Sequence, residues 1–192
     1  MTVYLVQDEK LIKAYLQGNE NSLRILINRY KSRLFSYILF MVKDRVLAED
    51  IFQDTFYKVI TTLKSGKYQE EGKFYQWIVR IARNLVIDHF RKLKKAAIVT
   101  DSQGNDVIAN LKIADRNRED EIIEQENHAM LKKLINSLPE EQKEVLIMRH
   151  YANLSFKEIS ELTNVSINTA LGRMRYALLN MRKLMLKHNI SA

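Results

Sequence analysis

The segment from Leu154 to Arg175 constrains this chain more than any other, because it dictates two short helices about a tight turn. Ser155 and Glu158 have the spacing of a capping box, and Phe156, Ile159 and Leu162 give the first helix an apolar stripe. Thr163 to Val165 breaks that stripe before Ser166 caps a second helix. At 3.6 residues per turn the second helix carries Ile167, Ala170, Leu171, Met174 and Leu178 on one face. Ser166, Asn168, Thr169, Gly172, Arg173 and Tyr176 lie outside that face. The apolar face is expected inside and the other is expected to enter a DNA major groove. A helical hairpin with no DNA to bind would show the same caps and stripe.

Charge supports a polyanionic partner. Residues 1–95 hold 18 basic and 10 acidic side chains, 96–128 hold 3 and 8, and 129–192 hold 10 and 5. Two basic blocks therefore flank an acidic connector, and basic blocks gain affinity for phosphate backbones through counterion release. The chain has no cysteine, which removes disulfides and thiolate metal sites and fits a reducing compartment. No basic leader runs into an apolar segment, and no apolar run approaches the length of a membrane span. A cytoplasmic protein without membrane insertion is expected.

The dominant period is helical and strand signals are nearly absent, which predicts an all-α fold. Helices are expected over Leu11–Leu16, Leu23–Met41, Leu47–Leu63 and Phe74–Lys94, with a turn at Gly18–Asn21 and a loop at Lys64–Lys73. Periodicity is lost from Lys95 to about Asp115, where Ser102–Asp106 marks a loop, and the acidic stretch Asn117–Asn127 leads toward a helix through Leu131 and Leu134. Pro139, the only proline, suits the first turn of the next helix, followed by Glu140 and Glu141 at its positive end. This organisation predicts two small helical domains, 1–95 and 129–192, joined by a flexible acidic linker at 96–128.

Two helices of the first domain carry distinctive surfaces. On the third, Ala48, Ile51, Phe52, Phe56, Val59 and Ile60 form the expected buried side and leave Glu49, Asp50, Gln53 and Asp54 together on the other. Such a patch in a basic domain suits a basic protein surface, although a merely solvated face reads the same way. No histidine joins these carboxylates at ligand spacing, so a metal site is not expected. On the fourth helix, Phe74, Ile78, Ile81, Ala82 and Leu85 make the apolar side, and Gln76, Arg80, Arg83, Asn84, Phe90 and Arg91 share the opposite side. Cations interleaved with aromatics suit single-stranded nucleic acid, where bases stack on rings while charge follows the backbone. Trp77 and Tyr75 fall at the edges of the buried face, where either core packing or base stacking would use them.

Ala48–Phe56, then Phe74–Asp88, then Leu138-Pro139 leading into the helix-turn-helix resemble regions 2 and 4 of sigma-70 family factors, and among them the small extracytoplasmic-function group. The resemblance covers roughly residues 8–94 and 129–187. It implies a dissociable RNA polymerase subunit with no cofactor and no catalysis of its own. Its first domain would bind the polymerase clamp and melt the −10 promoter element, and its second would read the −35 element. An anti-sigma factor is an implied further partner. Asp50, Gln53 and Asp54, with Glu49 beside them, match the clamp-binding positions. Arg80, Arg83 and Asn84 match the strand-opening helix, with Trp77 and Arg91 on the same helix, and the Lys64–Lys73 loop matches the segment that captures an unstacked base. Ser166, Thr169 and Arg173 match the recognition helix, while Leu171, Gly172 and Tyr176 stand where lysine, serine and a basic residue are common. Arg173 is expected to meet a base edge, with Asn168, Thr169 and the backbone at Gly172 as alternative readers. Two other readings remain open on the residues alone: a stand-alone helix-turn-helix regulator, and a nuclease built on Glu49, Asp50 and Asp54.

Overall fold

The computed structural model describes residues 7–100 and 130–187, with side chains over 7–95 and 130–187. No strand occurs among the described residues, and the chain divides into two compact units, Met1–Ile113 and Ala114–Ala192.

The first unit contains α1 (Asp8–Leu16), α2 (Glu20–Val42), α3 (Arg45–Lys64) and α4 (Phe74–Thr100). Gly18, at φ +100°, allows the turn between α1 and α2, since this backbone region is open to glycine at little steric cost. Helix α2 ends at Lys43 in the left-handed conformation, and Asp44 immediately caps α3 by accepting from the Leu47 N–H at 2.9 Å. The third helix therefore starts at Arg45, ahead of the expected Leu47. Helix α2 packs against α1, α3 and α4. Leu34, Tyr37, Ile38, Ala48, Val59, Ile78, Val79 and Ala82 have no exposed surface at their junction. Full burial of a large aliphatic side chain stabilises by about 1.5–3 kcal/mol, so this cluster dominates the unit.

Two features of α4 differ from expectation. The helix continues past Lys94 to Thr100, because Lys95, Ala96 and Ala97 are strong helix formers even though the amphipathic period has stopped. Its buried side is also rotated: Phe74, Ile78, Val79, Ala82 and Val86 are buried, Ile81 and Leu85 are only half-buried, and Gln76 goes inside instead of sharing the polar side. The connector expected at 96–128, its loop at Ser102–Asp106 and the acidic stretch Asn117–Asn127 lie outside the described residues, save for the backbone of α4 to Thr100.

The second unit contains α5, described over residues 130–136, then α6 (Glu140–His150), α7 (Phe156–Thr163) and α8 (Ile167–Lys187). Pro139 stands one residue before the first turn of α6, as its N-cap, and Glu140 and Glu141 occupy the first turn as expected. Helix α6 supplies Val145, Leu146, Ile147 and Met148 to the core, and α7 adds Ile159 and Leu162. Arg149 donates to the Leu154 carbonyl at 2.9 Å and lies over the Phe156 ring, which closes the corner between α6 and α7.

Candidate protein and nucleic-acid interfaces

The capping box of the helix-turn-helix forms as its spacing predicts. Ser155 Oγ accepts from the Glu158 N–H at 3.3 Å while the Glu158 carboxylate accepts from the Ser155 N–H at 2.7 Å. Asn164, at φ 54°, ends α7 in the left-handed region, and Ser166 Oγ caps α8 by accepting from the Thr169 N–H at 3.0 Å. The turn is thus fixed at both sides by short polar side chains. Both α6 and α7 pack on α8.

What faces inward on α8 shares only Ala170 and Met174 with the expected stripe. Only Ala170 and Ala177 are fully buried, with Met174, Met181 and Leu184 half-buried on the same arc. Ile167, Leu171 and Leu178, expected inside, are 45%, 44% and 53% exposed. The helix is rotated from the sequence reading because small alanines let α6 and α7 approach closely, so contact follows their side of the cylinder.

Arg173 moves with that rotation. Expected to point outward, its Nη2 instead lies 3.0 Å from Glu141 Oε2, and its side chain is 21% exposed. Two turns further along the same edge, the Asn180 amide donates to Gln142 Oε1 at 2.8 Å. An open hollow of about 330 Å³ is lined there by Pro139, Glu141, Gln142, Thr169, Gly172, Arg173 and Tyr176. Thr169 and Tyr176 are exposed on the rim, and Asn168 and Arg175 are exposed outside it. Arg175 is the cation that sequence reasoning passed over, and the signal for it was available: it lies seven residues after Asn168, hence on the same face.

The acidic patch of α3 appears as expected. Ala48, Ile51, Phe56 and Val59 are buried, Phe52 and Ile60 half-buried, and Glu49, Asp50, Gln53 and Asp54 all exposed. Arg45 lies 3.1 Å from Glu49, which partly neutralises one edge. Val46 and Tyr57, 70% and 69% exposed, extend the same face with apolar surface. Among the described residues no group of histidine, aspartate and glutamate is arranged to hold a metal ion.

Helix α4 sorts its basic residues into two rows. Trp77, Arg80, Asn84 and Arg91 recur on one side, where Arg80, Asn84 and Arg91 are exposed and Trp77 is half-buried. Arg83 lies half-buried on the adjoining side with the exposed Phe90. Arg91 is 3.0 Å from Asp88, an exposed pair of small energetic weight. Trp77 serves packing and display at once, because Tyr68 of the α3–α4 loop lies against it with ring centroids 4.4 Å apart. Tyr68 also meets Phe74 edge-on, and its hydroxyl donates to Glu70, whose other oxygen accepts from the Gly72 N–H at 2.7 Å. Burial, then the nearby Glu70, pushes the Tyr68 phenol well above its ordinary pKa, so it remains a donor.

Behind the loop, Tyr30 stacks on Tyr75 at 4.7 Å with Arg33 over the Tyr75 ring at 4.9 Å, while Arg29 and Tyr30 donate to Asp8. Tyr30 is pushed up to about 12, by burial first and Asp8 second. A hollow of about 580 Å³ opens here between α1, α2 and the loop, lined by Asp8, Arg29, Arg33 and Glu70 among others.

Sigma-70 region 2 matches residues 26–96, and Sigma-70, region 4 matches residues 128–178. The RNA polymerase sigma factor SigZ of Bacillus subtilis is 30% identical over 151 residues, covering 78% of this chain and 79% of its own length. The ECF RNA polymerase sigma factor SigW of the same organism is 26% identical, covering 86% of this chain and 90% of its own. In fold, the chain is similar to the sigma factor RpoE of Bartonella quintana, solved with the anti-sigma factor NepR, at a TM-score of 0.65 and 18% identity, covering 85% and 96% of the two chains.

Proposed function

The chain belongs to the sigma-70 family, in its extracytoplasmic-function group, and from that membership we propose how its surfaces divide the work of transcription initiation. It is a bacterial initiation factor that binds core RNA polymerase and directs it to promoters through −35 and −10 elements. The residue assignments and the division of labour are our reading. The first unit, with the domain boundary near residue 95, holds polymerase through Glu49, Asp50, Gln53 and Asp54 on α3 and engages the opened −10 strand through Trp77, Arg80, Arg83, Asn84 and Arg91 on α4. The second unit, from about residue 129, approaches the −35 duplex with α8, using Ser166, Asn168, Thr169, Gly172 and Tyr176. Residues 96–128 link them. Arg173 supports that helix through Glu141 in the free protein.

The observation that carries this reading is the separation of an exposed acidic face on α3 from an exposed basic and aromatic row on the very next helix. A stand-alone duplex binder has no use for the first, and a nuclease would need the carboxylates gathered about a metal. The protein performs no catalysis itself and acts in the cytoplasm with polymerase; none of its described helices is long and apolar enough to cross a membrane. An anti-sigma factor is its regulatory partner.

Replacing Asp50, Gln53 and Asp54 together with alanine is expected to abolish co-purification with core polymerase, while stability moves by less than about 0.5 kcal/mol, as for other exposed sites. Retained binding would remove the role assigned to α3. Alanine variants of Arg80 and Asn84 are expected to bind polymerase and fail on duplex promoters, with activity recovering on a template mismatched through the −10 element, where the few kcal/mol of unstacking are already met. Equal defects on both templates would assign these residues to another step.

A further inference from the structure

The first four turns of α8 show which side of the helix remains for DNA. Ala170, Met174 and Ala177 face α6 and α7, and Arg173 and Asn180 are tied to Glu141 and Gln142 along the neighbouring edge. The arc left open runs through Asn168, Leu171 and Arg175, with the half-buried Gly172 bordering it at the hollow. Gly172 is informative here: a Cβ built on it would meet nothing within 4 Å, so no packing within the protein requires glycine. Glycine is nevertheless the least favourable residue inside a helix apart from proline. A bare stretch of backbone in mid-helix, bordering an exposed arc, is useful when an external body must come close.

Leu171 stands beside that bare backbone, 44% exposed, with amide-bearing Asn168 and cationic Arg175 on the same arc. A single exposed leucine is ordinary on a protein surface. One placed between two hydrogen-bonding side chains, near the N-terminal half of a helix that enters the major groove, meets base edges, and it can neither donate nor accept there. The apolar group that the major groove offers is the thymine C5-methyl. Resting on the −35 role of α8, we propose that Leu171 is a specificity-determining residue that covers a thymine methyl in the −35 element, with Arg175 beside it as the groove-facing cation in place of Arg173.

The test uses holoenzyme reconstituted from the full chain and core polymerase. Preferred −35 elements are selected from a randomised library, and each thymine of the preferred element is then replaced singly with uracil, which removes only the methyl group. Wild-type holoenzyme is expected to lose about fourfold in promoter affinity at one position, the worth of one buried methyl-sized group. Leu171→Ala is expected to bind thymine and uracil equally there, while Arg173→Ala keeps the difference and Arg175→Ala loses more overall affinity than Arg173→Ala. The inference is overturned if uracil has no effect at any position, if Leu171→Ala retains the full thymine preference, or if the selected elements contain no A·T pair. Holoenzyme with no −35 preference at all would instead sink the −35 role of α8, and Leu171 with it.

Discussion

Helices α3 and α8 are of similar length and each carries a working surface, yet their sequences specify those surfaces to different degrees. On α3 most apolar residues gather on one side, with Glu49, Asp50, Gln53 and Asp54 opposite beside the exposed Val46 and Tyr57, and the residues expected inside and outside fall as the pattern predicts. On α8 apolar side chains encircle most of the helix, from Ala170 and Met174 around to Leu171, Leu178 and Leu179, and the ones buried are the smallest. A periodic pattern finds the direction of greatest hydrophobicity. Packing selects instead the side on which two helices can approach, and near the axis crossing that side favours alanine over leucine.

This contrast is open to direct attack. The largest effect is expected at the inward alanines: Ala170→Leu and Ala177→Leu should each lower stability by about 1–3 kcal/mol through overpacking. Leu171→Ala, one residue away, should change it by less than about 0.5 kcal/mol. Denaturant unfolding of the full chain measures both, and equal tolerance at 170 and 171 would mean that α8 is not seated as described. Smaller and of opposite sign, Gly172→Ala should stabilise the helix by up to about 1 kcal/mol, the propensity difference for an unobstructed site. The same variant should weaken promoter binding, so a gain in both properties would break the assignment of Gly172 to close approach. Smallest is the Arg173–Glu141 pair, an exposed contact on the glutamate side worth about 0–1 kcal/mol. A double-mutant cycle on Arg173→Ala and Glu141→Ala should give a coupling that shrinks in high salt. No coupling at low salt would show that the guanidinium is held by something other than Glu141.

Local rules carried far in this chain. Ser155, Glu158 and Ser166 mark their helix ends through bonds spanning three residues, so nothing distant is needed to place them. The acidic face of α3 was legible because its four polar residues cluster opposite Ala48, Ile51, Phe56 and Val59, whereas the exposed Val46 and Tyr57 on that face were not. The end of α4 was misplaced because a lysine- and alanine-rich continuation keeps its helical propensity after its amphipathic signal is gone. Polarity alone puts Gln76 outside, although the structure buries it at 2% exposure.

The sequence by itself determined the helical class, the two basic blocks with an acidic stretch between them, the capped helix-turn-helix and the three motifs of the sigma-70 family. These depend on composition, spacing and contacts within a few residues. Tertiary structure alone decided the rotation of α8, the capture of Arg173 by Glu141, the outward placement of Leu171 and Arg175, and the seating of Trp77 against Tyr68 of the loop. Each of those depends on which neighbouring element lies against the helix, and a helix with apolar groups on most of its circumference can be seated in several rotations until that neighbour fixes one.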